Sequence, residues 1–527
     1  MKMLIAAFVI FPAGWVAIPQ TPPVPVGKAQ IQVGDTVCAR AMSRPDEGQD
    51  WKSAKLVSGI RDAATLDRLG EGPVVVVDAQ LRGQRIAGHR ASRICFEGGD
   101  LAKTDWRGAL AEGSAFASSD LSGATMAGAR LRGASFRDAR LDGVKAARAD
   151  LSEAVIEGGS FDGLELRGAI MRGFRLNCAL LEYELTCEWP EQGGVDARGA
   201  DLSRAALGVY MTRKWRFDRA VLDGTHVQFN QIDSFRRATL RGPVVLESSG
   251  YQRGPHVRLA PAEWRRLLAS FWVDRPSFTC TRAQTAVEKI ICQPENALAN
   301  RDRRLDRLYH AVLDAGKTTR AEQRRWLAER DACAAAKDAA DRTGCVIGAY
   351  QDRIDALMAR GTGAPRLVRG QHRLFVSSEI VPPAAFQRTA LYDRIFPVLL
   401  ATASSTVYYR AVDRQRIEAG GKAWGGNGHM CSMEGPVFGF DPATGWFGAP
   451  HSADYGKYVA IETPFEGVLK IAGSDAVVGP PGKPWNMGEY VACGARANFD
   501  EVTEVRVPPA HRGVVVELER RLLSSDS

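Results

Sequence analysis

Apolar residues recur at every fifth position along an unbroken stretch of this chain. Stepping from Phe96, they are Leu101, Trp106, Ala111, Phe116, Leu121, Met126, Leu131, Phe136, Leu141, Ala146, Leu151, Ile156, Phe161, Leu166, Met171, Leu176 and Leu181; all but the alanines are large. With large apolar residues at roughly one position in four, chance yields such a run less than about once in a million. Two positions earlier the residues are mostly small, as in Thr104, Ala109, Ser114, Ser119, Ala124 and Ala129, with Val144, Leu164 and Phe174 the exceptions. Two positions later glycine dominates, as in Gly108, Gly113, Gly123, Gly128, Gly133 and Gly143. Leu81 and Ile86 share the phase upstream.

Five is neither the helical nor the strand period. It predicts a square coil in which each side turns one large and one small residue inward and ends in a tight corner. Four sides close a coil, and coils stack through strand-like hydrogen bonds at about 4.8 Å. Steps such as Ser119-Asp120-Leu121-Ser122-Gly123 and Ala149-Asp150-Leu151-Ser152-Glu153 resemble the pentapeptide-repeat family over residues 76–245. The resemblance implies a right-handed quadrilateral β-helix and a scaffold role, because repeat folds carry many different surfaces. Some members of that family are thought to mimic DNA and bind gyrase with an acidic surface. Here acidic and basic residues nearly balance over 96–181 and the run 200–241 is basic, so neither that role nor a nucleic-acid partner is expected.

The five-residue register breaks after Leu181. Trp189-Pro190 and Gly193-Gly194 mark an insertion near 182–196, and Cys178 and Cys187 are placed to staple its start. Such a loop on a rigid coil serves either recognition or nothing beyond a bulge. The repeat resumes one phase later at Leu202, Leu207, Phe217, Leu222, Val227 and Ile232. Before the coil, 30–75 reads as a cap with a buried strand at Val74–Val77, and Cys38 and Cys95 are the cysteines left to pair there. After it, 246–276 reads as a linker.

A helical pattern begins near residue 277. Leu298, Leu305 and Leu308 share one face, as do Tyr350, Ile354 and Leu357. A module this small gains from cross-links, and Cys280, Cys292, Cys333 and Cys345 allow three pairings. The C-x-x-A opening at Cys280, the step from Glu288 to Cys292, the centre Gln323 to Cys333 with Trp326-Leu327 and Arg330-Asp331, and the close from Tyr350 to Leu357 resemble the N-terminal domain of the LprI-type lysozyme inhibitors, over 277–358. That resemblance implies a secreted protein-binding module with lysozyme, or another envelope protein, as partner. Trp326, Arg330 and Asp331 are its candidate contacts; the alternative places Trp326 in the core and pairs Arg330 with Asp331. The usual lysozymes are strongly basic and this module slightly so, which makes steric occlusion of a cleft the expected mode.

Residues 365–527 read as a further α+β or mainly β domain. Strand-rich stretches are expected at Leu399–Tyr409 and Gly467–Val478, and a hairpin around Asp441-Pro442. Cys431 and Cys493 are the cysteines available to pair. His429, two before Cys431, invites a nucleophile reading, set aside because no third group accompanies it.

The 527 residues suit about three or four domains. Met1-Lys2-Met3 and the apolar run Leu4–Phe11 read as a secretory leader within a leader and proline-rich segment at 1–29; the alternative is an uncleaved N-terminal anchor. No other stretch predicts a transmembrane segment. Ten cysteines without a CxxC fit disulfides outside the cytoplasm better than a zinc site. A net charge of +8 permits contact with anionic cell-wall components. No HExxH, GxSxG, GxGxxG or calcium loop is present, so no catalytic residue, metal or cofactor is assigned. The sequence thus predicts a multidomain, periplasmic or secreted binding protein. Its alternatives are an envelope-associated structural protein and an enzyme hidden in the last domain.

Overall fold

The computed structural model describes residues 32–42 and 51–523, apart from Arg90 and stretches that include 182–183, 188–193, 209–214, 249–253, 272–275, 294–297, 361–366 and much of 425–501. The leader expected at 1–29 lies outside the described residues.

The five-residue pattern builds a β-solenoid. Phe96 pairs in parallel with Phe116, and Phe116 with Phe136, so each coil takes twenty residues. The ladder runs through Val74–Val77, Ile94–Glu97, Ala115–Ala117, Ser135–Arg137, Val155–Glu157, Arg175–Asn177, Ala206–Leu207, His226–Gln228 and Val244–Glu247. The large fifth residues fill the interior: Leu101, Trp106, Phe116, Leu121 and Leu131 are all fully buried or nearly so. Phe96, Phe116 and Phe136 stack down one side, with centroids 5.6 and 5.0 Å apart. Trp106 meets Phe116 edge-on at 5.6 Å. Its buried indole N–H is satisfied by Thr104 Oγ1 at 2.7 Å, and Thr104 in turn donates to the Leu101 carbonyl at 2.6 Å. A hydroxyl at this small position therefore lets an indole enter the column without an orphaned donor.

Corners follow from two local devices. Glycine two after the large residue takes positive φ, as at Gly108 (67°) and Gly128 (67°), which costs it nothing. Aspartate one before the large residue folds its carboxylate onto the backbone N–H two residues on: Asp100 onto Ala102 (3.2 Å), Asp120 onto Ser122 (2.8 Å) and Asp150 onto Ser152 (3.0 Å). Asp196 accepts from the Arg198 backbone at 3.3 Å and from the Arg198 and Arg167 guanidinia. The Arg198 hydrogen bond, seconded by Arg167, holds its carboxyl far below the usual range. Arg107 likewise lowers Asp105 to about 2.

The repeat leaves its register at Cys178, a few residues earlier than expected. Leu180–Leu181 pairs with Glu184–Leu185 in a small antiparallel hairpin, so Leu181 is not a coil position. A disulfide joins Cys178 to Cys187, and the next coil resumes with Val195 stacked on Leu164.

Both ends of the column are covered. At the start, Ile60, Ala63, Leu66 and Leu69 join the solenoid core. Helix α1 (Val37–Ala41), capped by Thr36, lies over the outer side of the first strands and is fixed by the Cys38–Cys95 disulfide. At the far end, the expected linker at 246–276 is instead ordered. His256–Leu259 pairs antiparallel with Val244–Glu247, and helix α2 (Pro261–Phe271) buries Trp264 and Leu267 in the solenoid core. An exposed apolar column end does not persist in water, and this segment supplies the closing layer.

Four helices form the next module: α3 (Ala286–Ile291), α4 (Leu298–Asp314), α5 (Arg320–Asp331) and α6 (Ala339–Arg360). Thr285 and Glu288 make a reciprocal capping box at α3, and Thr319 caps α5. Val287, Leu298, Leu305, Leu308, Tyr350 and Ile354 fill the core. Disulfides join Cys280 to Cys292 and Cys333 to Cys345.

The last region is a ten-stranded antiparallel sheet with helices. Strand Ser405–Ala411 pairs with both His372–Ser377 and Arg416–Trp424, which closes the sheet on itself as a small barrel around Phe375, Val407, Tyr409, Ile417 and Phe438. Val437–Asp441 and Trp446–Gly448 form the expected hairpin. The stretch Leu399–Tyr409, expected as strand, begins instead as the end of a helix. After the short α7 (Ala384–Gln387), α8 (Ala390–Thr402) carries a run buried on most sides, whose pattern does not distinguish helix from strand. Helix α8 presses Leu391, Ile395 and Phe396 into the same core as the solenoid end. Arg394 ties it down through the Arg258 carbonyl at 2.8 Å and an ion pair with Glu263. Helix α9 (Arg512–Leu523) packs on the barrel strands.

Phe116→Ala removes the middle ring of the stack and should cost about 3–5 kcal/mol, read by urea unfolding. Asp196→Asn should cost about 1–2 kcal/mol at pH 7. Because the Asp196 pKa is depressed on folding, its contribution is whole at neutral pH and lost as pH falls below about 4. The gap between parent and variant should therefore shrink in unfolding curves taken toward pH 2.

Candidate functional site

Away from the side covered by α1, outward positions on the solenoid are free of packing duty, so their chemistry is the first place to look for function. Each coil has four sides, and each side presents one outward row. Bridges define one row as Gln80, Asp100, Asp120, Arg140 and Ser160. Two sides round, the opposite row is Leu110, Arg130, Asp150, Ile170, Asp201 and Val221. The first face, with its corners, carries Asp100, Asp120, Asp138, Asp142, Glu157 and Asp162 against Arg82, Lys103, Arg137 and Arg140. The second carries Arg107, Arg130, Arg132, Arg148, Arg167, Arg172, Arg198, Arg204 and Arg219 against Glu112, Asp150, Glu153, Asp201, Asp218 and Asp223. The balanced charge of the sequence is thus a spatial separation: an acidic face backs a basic one. Composition hides this. The signal that carries it is a twenty-residue period, four times the repeat.

Several cations are already engaged. Arg172 pairs with Asp201 at 2.7 Å, Arg167 and Arg198 share Asp196 at 2.5 and 2.7 Å, and Arg82 pairs with Asp100 at 2.8 Å. Arg130, Arg132, Arg148 and Arg219 are exposed and carry no ion pair among the described residues.

In the helical module, Trp326 and Arg330, expected as partner contacts, are interior. Trp326 is 7% exposed, donates its indole N–H to the Ala349 carbonyl at 3.2 Å and packs edge-on to Tyr350. Arg330 is 4% exposed and lies over the Trp326 ring. It binds Asp331 at 2.7 Å and the Tyr350 hydroxyl at 3.2 Å; Tyr350 donates to Asp302 at 2.6 Å. Asp302 also accepts from the Ser277 backbone at 2.6 Å. Burial, chiefly, pushes the Tyr350 hydroxyl far above its usual range. This charged network, with both ends hydrogen-bonded, fixes α4, α5 and α6 together. Only Asp331 is partly open. What α5 shows to solvent is Arg320, Ala321, Arg324, Arg325, Leu327, Ala328 and Glu329.

The barrel's cysteine pair is structural. The strand register sets Cys431 opposite Cys493, and Cys431 is buried and disulfide-bonded, which removes its thiol as a nucleophile. His429 lies outside the described residues. Among the described residues no group of His, Cys, Asp and Glu is arranged to hold a metal, no cysteine is free, and no helix is long and apolar enough to cross a membrane.

Tyr350→Phe should lower the module's stability by about 1–3 kcal/mol, because it strips a hydrogen bond from buried Asp302 and another from Arg330; differential scanning calorimetry of the full chain reads this.

The family model for pentapeptide repeats matches residues 95–133 and 134–173. No curated protein matches the chain. Among solved structures, QnrB1, a plasmid-mediated fluoroquinolone resistance protein, is 18% identical with a TM-score of 0.21, the match covering 32% of this chain and 93% of that one. HetL, a pentapeptide-repeat protein involved in heterocyst differentiation regulation from the cyanobacterium Nostoc, is 17% identical with a TM-score of 0.16, covering 34% and 78%. The matched residues are those whose fifth positions fill the interior column and whose corners are held by glycine and aspartate. Residues 95–173 are therefore pentapeptide repeats, and the solenoid built on them is a pentapeptide-repeat β-helix.

Proposed function

We propose that this chain is an extracytoplasmic, non-enzymatic binding scaffold. The observation that carries the reading is the cysteine chemistry. Disulfides join Cys38 to Cys95, Cys178 to Cys187, Cys280 to Cys292 and Cys333 to Cys345, and Cys431 is bonded as well. Such bonds persist in oxidising compartments, which agrees with the leader-like start of the sequence. The solenoid supplies a long rigid body, and the barrel is tied to its end through a shared core.

The resemblance of 277–358 to LprI-type inhibitors makes lysozyme the first protein partner to test. With Trp326 and Arg330 in the core, contact falls to the open side of α5, which carries Arg320, Arg324, Arg325 and Glu329 together with Leu327, 36% exposed. A basic enzyme gains nothing from that charge, so inhibition would rest on shape. Contact with anionic cell-wall material is the second reading, favoured by the basic solenoid face.

Thiol alkylation of the protein taken from its native cells tests the address. All ten cysteines should resist alkylation until reductant is added. Free thiols throughout would overturn it. Turbidity assays of lysozyme on cell-wall substrate, with the oxidised full chain, test the partner. Inhibition at micromolar concentration that disappears on reduction supports it; undiminished lysis with the module folded removes lysozyme as a partner.

A further inference from the structure

We infer that the basic face of the solenoid, formed by Arg130, Arg132, Arg148, Arg167, Arg198 and Arg219, binds a linear anionic polysaccharide laid along the solenoid axis. This rests on the extracytoplasmic reading, which brings the chain among such polymers.

The chain uses its charges differently on its two faces. On the acidic face the aspartates have a local role, since Asp100 and Asp120 hold the backbone of their own corners. Of the arginines opposite, Arg167 and Arg198 hold Asp196 and Arg172 pairs with Asp201, whereas Arg130, Arg132, Arg148 and Arg219 extend into solvent without an ion pair among the described residues.

Backbone conformation points the same way. Arg148 and Arg219 sit at the corner where neighbouring coils use Gly108, Gly128, Gly168 and Gly199, and they adopt positive φ of 58° and 60°. Arg93 (57°) and Arg204 (59°) do the same at the corner on the other side of this face, where Gly113, Gly133 and Gly173 stand in other coils. A side chain is strained there and glycine is not. Glu153 (58°) shares the second corner, and on the opposite face Asp78, Lys103, Ser118 and Asp138 take the same conformation; four of the five such residues on the basic face are arginines, against one cation, Lys103, of four on the acidic one.

The spacing of the cations suits a polymer. Arg148, Arg167, Arg198 and Arg219 occupy one corner on successive coils, a step of about 4.8 Å. A compact anion meets one or two of them. A polymer with a charge on each unit meets the whole ladder, and each guanidinium presents a fork suited to carboxylate, sulfate or phosphate. Leu110 and Ile170, 55% and 39% exposed in the central row, offer apolar contact to the C–H faces of sugar rings. No aromatic side chain stands in this row or its flanking corners, so the stacking platform typical of single-stranded nucleic-acid sites is missing.

The test uses the oxidised full chain, with alginate as the polyuronate probe, dextran as the neutral one and oligothymidylate as the nucleic acid, by calorimetry at low and moderate salt. Alginate should bind, with affinity falling as salt rises, and dextran should not. Arg130→Gln with Arg132→Gln should weaken alginate binding about tenfold, while Arg82→Gln on the opposite face leaves it unchanged. Arg148→Gly separates binding from folding: it should weaken binding and raise the melting temperature together, because glycine relieves the corner. Equal binding by parent and the double variant, binding of oligothymidylate in preference to alginate, or no alginate binding by protein whose cysteines are all disulfide-bonded would overturn the inference alone. Free thiols in the native protein would overturn the address, and with it the reason for the chain to meet a polysaccharide.

Discussion

A column of large apolar side chains, one from each side of each coil, has no natural end. Everything else in the molecule answers to that constraint. The interior rows from Leu81 to Leu246 form one continuous core, and water is excluded from it only if both ends are closed. At the start, a short segment with Ile60 and Leu66 is enough. At the finish, the chain adds an antiparallel strand, α2 and then α8 from a region more than a hundred residues further along. The barrel is thereby fastened to the solenoid through a shared core, and the helical module, whose α4 and α6 approach the strand Ala460–Phe465, lies in the sequence between the two closing pieces. A segment that reads as a tether is one of the layers that make the coil possible.

The same repeat that commits the inward positions releases the outward ones. Inside, the choice at each position is narrow: Thr104 is tolerated beside Trp106 because its hydroxyl oxygen accepts the indole N–H hydrogen bond. Outside, the only local duties are the glycine and aspartate of the corners, and the remaining positions are open to selection for surface. The result is the division of charge between two opposite faces. It arises because residues twenty apart share a row, so a one-in-twenty choice in sequence becomes a neighbour in space.

That geometry also explains what is and is not legible in the chain. The five-residue period is legible because every repeat enforces it, and it locates the coil from Leu81 through Leu176. The exit at Cys178 is not, since Leu181 keeps the phase by coincidence while its backbone turns into a hairpin. The closing role of 246–276 is hidden because Trp264 and Leu267 are apolar at too few positions to announce a partner that lies far away in sequence. The motif around Gln323–Cys333 places Trp326 and Arg330 together but does not say on which side of the surface. A tryptophan and an arginine so close on one helix suit an exposed contact or a buried network equally, and Tyr350 and Asp302, from α6 and α4, decide for the second. The charge stripes are present in the sequence but invisible to any count taken along the chain, because they exist only by row.

Opposed faces of unlike sign make the solenoid a transverse electric dipole, with its moment across the coil and not along it. In a uniform solution this changes little. Beside a charged wall it exerts a torque: the rod rolls about its own long axis until one face turns toward the surface and the other away. The molecule would then lie flat, with its rolling angle set by electrostatics before any contact forms. The barrel, fastened to its end through their shared core and without an independent pivot, would be carried round to one fixed bearing.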